Sequence, residues 1–290
     1  MKLSRRWRNL PFAVIFLTPS FLGLMTFVFG PMIVSFWYSF NSWNLLSPME
    51  FIGLENFKEL MKDKLWWTSL RNTVWYSVLN IPLVIAVALA MALIINKKGA
   101  KFTGFLKGIF FLPVVCSEVA ISIIWQWILS SNFGLLNMVL QMLKLPPQEW
   151  LASTKLAMIS VVIVVVWRWA GYEMVILLGG LNDIPEEYYE AAKIDGANGR
   201  QQFIYITMPL LRPILFFIST TCLIGSFQTF DIIYMLTRGG PGSSTYLTGY
   251  YLYQNAFSFL KMGYASAVAV CLFFILLVLT ALQMRVRAYG

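Results

Sequence analysis

Four ionisable side chains stand inside otherwise apolar runs: Glu118, Arg168, Glu173 and Asp231. A charge at the centre of a bilayer costs about 2.5–3.5 kcal/mol on insertion scales, so such a residue faces a partner or a wet cavity. Arg168 and Glu173 are five apart in sequence, off a shared helix face, so they need not pair with each other. Two roles stay open for this set. One is pairing between helices, which locks a bundle or a subunit interface. The other is lining a polar path. Uncharged residues in the same runs extend the second role. Trp125, Trp127 and Tyr172 could stack on the apolar face of a ring-shaped solute, while Asn80, Gln126 and Gln228 could bond its polar groups. Packing or interfacial anchoring competes for each aromatic.

Other chemistries are excluded by what the chain lacks. It has no histidine, which removes Ser-His-Asp triads, His-paired cysteines and imidazole metal ligands together. Cys116, Cys222 and Cys271 are far apart, with no C-x-x-C pair, so no metal or redox site is expected. No G-x-x-x-x-G-K-[ST] segment occurs, so no P-loop binds nucleotide here. The net charge of +9 lies in clusters at the ends of apolar runs, a pattern of membrane orientation rather than nucleic-acid binding.

The elements that must carry these residues are membrane spans. Only 12% of the 290 residues are charged and 59% are hydrophobic; soluble domains carry about a quarter charged residues. Six runs are long enough to cross a bilayer: approximately 12–38, 73–95, 106–129, 156–181, 214–235 and 263–284. The first follows a basic start (Lys2, Arg5, Arg6, Arg8) but exceeds the length of a signal-peptide core, so it reads as an uncleaved span. The basic start, Lys97, Lys98, Lys101 and Lys107, and Arg285 with Arg287 fall on one side of a six-span chain. The positive-inside rule makes that side cytoplasmic, with both termini. Trp37, Tyr38, Trp43, Trp66, Trp67, Tyr250, Tyr251 and Tyr253 bracket the spans as expected interfacial anchors. Pro82 and Pro113 can kink their helices. The fold class is all-α: a polytopic membrane protein of one domain.

The loop between spans four and five is polar, acidic and cytoplasmic. Asp183, Pro185 and Glu186 read as a helix start. Asp195-Gly196-Ala197-Asn198-Gly199 reads as a break, since glycine and asparagine tolerate positive φ. A second helix then begins near Arg200, and Pro209 introduces span five. The expected product, over 183–209, is a helix-turn-helix at the membrane surface with small residues near its tip. Small residues permit close approach of another backbone, and a carboxylate beside them suits an arginine. A simple solvated cap for the bundle is the other reading.

Glu190-Ala191-Ala192, then Gly196, Ile206 and Met208-Pro209, resemble the EAA signature of permease subunits of binding-protein-dependent ABC importers. Met208 stands where that signature usually has leucine, a volume-conserving exchange. Phe51-Ile52-Gly53-Leu54-Glu55-Asn56-Phe57, and Thr237-Arg238-Gly239-Gly240-Pro241 with Thr245, resemble the first permease of the maltose and glycerol-phosphate type, in the carbohydrate-uptake branch. The resemblance implies a non-catalytic subunit of an ATP-driven sugar importer in a prokaryotic cell membrane. It implies that Glu190, Ala191, Ala192, Asp195 and Gly196 form a coupling loop against a separate ATPase. The implied partners are a second related permease, two cytoplasmic ATPase subunits that hold ATP-Mg, and an extracellular solute-binding protein. The competing reading is a secondary transporter driven by an ion gradient, with Glu118 and Asp231 as candidate ion sites.

Overall fold

Helix covers most of the chain because its apolar runs cannot leave backbone N–H and C=O groups unpaired in lipid. A computed structural model describes residues 10–96 and 102–289. The clusters Lys2, Arg5, Arg6, Arg8 and Lys97, Lys98, Lys101 lie outside the described residues. Among the described residues five helices are long and apolar enough to cross a membrane, or six when one sharply bent pair is counted as a span. Packing divides the chain into two units: the described part of 1–63 with 252–275, and 64–251 with the described part of 276–290.

The first unit opens with α1, which runs as Leu10–Leu24, a π turn at Met25–Phe29, and Gly30–Tyr38. Pro31 stands two residues beyond the π turn, and the wide turn relieves the clash its ring would make with the preceding carbonyls. A two-stranded ribbon comes next, β1 (Asn41–Ser42) against β2 (Glu50–Phe51), antiparallel, with Asn41 opposite Phe51. Helix α2 (Glu55–Lys62) closes the connection. The segment 51–57 earns its residue types here. Gly53 takes φ +61°, Phe57 packs 5.6 Å from Phe40, and buried Asn56 donates to the carbonyls of Ser39 and Asn41, both at 2.9 Å. The first residues of the last helix pack here too: the Gly263 N–H bonds the Trp43 carbonyl at 3.2 Å, and Tyr264 donates to Asp63 at 3.2 Å.

The second unit is built on α3 (Lys64–Ile95) and α7 (Ala157–Asn182). Ala88 and Ala92 on α3, one turn apart, face Met174, Leu177, Leu178 and Leu181 of α7 in the main apolar cluster. Small residues at helical spacing let two membrane helices approach closely. Between them in sequence lie α4 (Thr103–Val115), α5 (Glu118–Ile128) and α6 (Leu135–Met142). Helix α8 (Glu186–Ile194) follows α7. Helix α9 spans Gly199–Gln228, and α10 covers Asp231–Leu236. The chain continues through α11 (Thr248–Tyr253) to α12 (Met262–Tyr289), whose residues from Leu276 onward belong to this unit.

Gly171 sets how closely α4 approaches α7. A β-carbon there would run into the Phe110 carbonyl. Gly171→Ala is therefore expected to cost about 1–3 kcal/mol by overpacking. A lowered thermal unfolding midpoint of the solubilised protein checks it, with Gly179→Ala, where nothing lies within 4 Å, as the comparison.

Several expected boundaries move. The second span starts at Lys64 rather than near residue 73, because α3 extends beyond the N-terminal end of its apolar run. That places Trp66 on a buried face against Tyr251, ring centres 5.8 Å apart. Trp66, Tyr250 and Tyr251 are thus core residues and not interfacial anchors; Trp37 and Trp67 are half exposed. The third expected span is two helices that meet at 96° across Cys116 and Ser117, three residues beyond Pro113. The fifth ends at Gln228, so Asp231 is not late in that span but opens the separate α10. Asp183 does not start a helix; it closes α7, and Pro185 is the residue before α8. Pro209 does not divide the second hairpin helix from the fifth span either. A π turn at Phe203–Thr207 stands just ahead of it, with the Met208 N–H reaching back to the Phe203 carbonyl, so α9 passes through.

Candidate functional site

The two helix breaks open a cavity of about 330 Å³ among α3, α5, α7, α9 and α10. At the first break Cys116 and Ser117 are extended, with ψ of 148° and 131°. At the second, Thr229 and Phe230 leave helical geometry. Each break is followed by a carboxylate in the first turn of the new helix, Glu118 in α5 and Asp231 in α10. Free N–H groups and the helix dipole favour an anionic side chain there.

The buried charges are handled unequally. Arg168 Nη1 lies 2.5 Å from Glu118 Oε2, and its guanidinium sits 5.2 Å from the centre of the Trp169 ring. Glu173 Oε1 accepts from Cys222 Sγ at 3.5 Å. Its other oxygen, Oε2, is buried with no hydrogen-bond partner, as is Asn80 Oδ1. Glu173 is 4% exposed and Asn80 6%. Buried polar atoms are nearly always paired, so two bare acceptors on residues that line one cavity set it apart from the rest of the bundle.

Asn80, Glu118, Tyr172, Glu173, Gln228 and Asp231 line this one cavity. Trp125, Gln126 and Arg168 do not line it. Trp125 packs edge-on against Trp167 at 5.5 Å, and Gln126 Nε2 donates to the Met235 carbonyl at 3.4 Å. Arg168 stands behind the wall and holds Glu118, so the inter-helix pairing role applies to that pair. Four lining aromatics escape the sequence reading: Tyr76, Trp169, Phe217 and Phe230. For the first two the signal was available, since Tyr76 precedes Asn80 by four residues and Trp169 precedes Glu173 by four, each pair on one helix face.

The polar loop folds as α8, a turn, and the start of α9. Both sides of the turn are capped internally. After α8 the Ala197 N–H bonds the Ala192 carbonyl at 2.8 Å and the Gly196 N–H bonds Lys193 at 3.1 Å. With Gly196 at φ +81° this is a Schellman termination. Asn198 and Gln201 then form a reciprocal capping box, at 2.7 and 3.0 Å. Tyr189 Oη meets Thr207 Oγ1 at 2.9 Å and ties α8 to α9. Glu190, Ala191, Asp195 and Gly196 are exposed on this hairpin, and Ala192 is half buried. Ile194 beside them is 87% exposed.

Membrane helices broken around a polar cavity, with a stiff polar hairpin at one end, are the build of a solute permease. Residues 83–287 match the family described as the binding-protein-dependent transport system inner membrane component, and the chain belongs to that family. It is 34% identical over 277 residues to a probable ABC transporter permease protein of Pyrococcus horikoshii, with 94% of each chain covered. It is 32% identical over 286 residues to the arabinooligosaccharides transport system permease protein AraP of Bacillus subtilis, covering 96% of this chain and 91% of that one. Its fold is similar to a chain of a bacterial ABC transporter involved in the import of the acidic polysaccharide alginate. There the TM-score is 0.84 and the identity 20%, over 99% of this chain and 98% of that one.

Proposed function

We propose that this chain is the membrane-spanning, non-catalytic subunit of an ATP-driven importer for a sugar, with the α8 hairpin seated on a separate ATPase. The observation that carries the reading is continuity: the exposed hairpin passes without a break into α9, which lines the cavity. Relatives named for arabinooligosaccharide transport support a carbohydrate cargo. A second related permease completes the channel, two ATPase subunits hold ATP-Mg, and an extracellular binding protein delivers the solute. Both termini and the α8 hairpin face the cytoplasm, on the strength of the basic clusters.

In this reading each residue group has a mechanical or binding task. Glu190 and the exposed Ala191, Ile194 and Gly196 contact the ATPase cleft, and Ala192 and Asp195 support that contact. ATP-driven closure of the ATPase pair moves the hairpin, and α9 passes the movement to the cavity wall. Asn80, Glu173 and Gln228 offer polar contacts to sugar hydroxyls, while Tyr172 supplies an apolar face. Helix breaks beside carboxylates also suit gradient-driven carriers, so the energy source is the point to test. In proteoliposomes holding the chain with its co-purified partners, ATP is expected to drive uptake of a labelled oligosaccharide with proton and sodium gradients collapsed by ionophores. Uptake that needs the gradients and survives ATPase inactivation would return the secondary-carrier reading.

A further inference from the structure

We infer that this chain's cavity admits a neutral, polyhydroxylated solute and rejects one carrying carboxylates or phosphates. The inference rests on the sugar-import reading and narrows it.

The charged groups on the cavity wall are all acidic. Helix α5 contributes Glu118, α7 contributes Glu173 and α10 contributes Asp231. The α3 and α9 faces supply uncharged groups such as Asn80, Thr221 and Gln228. Among the described residues no lysine or arginine lines it. Arg168 does not line it: one nitrogen pairs with Glu118 and the guanidinium lies over Trp169, while its buried Nε makes no hydrogen bond. Glu173 and Asp231 are left with no basic counterpart on the wall.

The unfilled hydrogen-bond capacity has the same sense. Asn80 Oδ1 and Glu173 Oε2 are buried acceptors without donors. A sugar hydroxyl supplies a donor to each, whereas an ionised carboxylate has none to give. The rings of Trp169 and Tyr172, edge to face at 5.9 Å, add an apolar wall for the C–H face of a pyranose or furanose. A uronate or sugar phosphate would bring a further negative charge into a cavity whose described wall carries carboxylates and no cation to balance it.

The test is equilibrium binding to the assembled importer in nanodiscs, without its binding protein, so that this cavity sets the preference. The probes are maltotriose, arabinotriose and galactotriose against trigalacturonate, at physiological ionic strength. The best neutral trisaccharide is expected to bind at least about 30-fold more tightly than trigalacturonate. Asp231→Asn, which keeps the size and removes an exposed charge from the wall, is expected to shrink that ratio about fivefold. Asn80→Asp, which adds a carboxylate, is expected to widen it. Reading a ratio within each variant cancels any loss of folded protein. Trigalacturonate binding as tightly as the neutral sugars, or a ratio that neither variant moves, overturns charge rejection while leaving a sugar permease standing. Binding of no trisaccharide of either kind overturns the sugar reading and this inference with it.

Discussion

Glu190→Lys is expected to abolish solute-stimulated ATP hydrolysis by the assembled transporter, with a loss of about a hundredfold. Reversing one member of a hydrogen-bonded charge pair at a docked interface costs about 2–5 kcal/mol, and each 1.4 kcal/mol is a factor of ten. The residue is exposed on α8 and makes no described bond within the chain that folding depends on. Surface substitutions of that kind stay within about 0.5 kcal/mol in stability. The unfolding midpoint of the variant should therefore match the wild type while the ATPase no longer co-purifies. A variant that still brings down the ATPase and retains stimulated hydrolysis would remove Glu190 from the docking face.

Arg168→Ala should have the largest effect on stability. It leaves Glu118 as a partly buried carboxylate with its ion-pair partner gone. Breaking a buried pair from one side costs about 3–5 kcal/mol. The guanidinium also loses its contact with Trp169, so Arg168→Lys should recover only part of the loss, since lysine lacks the flat, weakly hydrated head that stacks on a ring. The double variant Arg168→Met with Glu118→Gln should unfold closer to the wild-type midpoint than Arg168→Ala, because no bare charge remains. Thermal unfolding in detergent, read by tryptophan fluorescence, distinguishes the three. If Arg168→Ala unfolds with the double variant, the ion pair contributes nothing to holding α5 against α7.

What the sequence disclosed followed from long-range averages. Hydropathy over twenty residues marked where the long apolar helices run, because the bilayer thickness fixes a minimum length; it did not show that the second and fifth helices begin well before their apolar runs or that the third is bent in two. The hairpin was legible because Asn198, Gly199 and Gly196 are turn residues whatever surrounds them. Hidden features depended on contacts between distant segments. Glu118 looks mid-span in an unbroken apolar run, and only the packing of α4 on Gly171 and of α5 on α10 shows why the chain turns between Val115 and Glu118. Trp66 and Trp125 have the composition of anchors or sugar platforms, yet each found an aromatic neighbour on another helix. Pro209 reads as a boundary by local rules, and the π turn that accommodates it leaves no signature in the sequence. Six of the ten expected path residues meet at one cavity because charge and amide groups avoid lipid on every helix that carries them.

The unbroken course of α9 makes it a lever arm. Its 30 residues span about 45 Å from the hairpin to the far wall of the solute chamber. Pivoted near its middle, such an arm tilted by roughly 10° swings each tip by about 4 Å, comparable to the width of a sugar ring edge. Because the turn at Gly196–Asn198 is braced from both sides, little of a push is absorbed there as bending. In the proposed assembly, stroke length at the ATPase is geared directly to aperture at the cavity, and a flexible insertion at the π turn would slip the gear without touching either end.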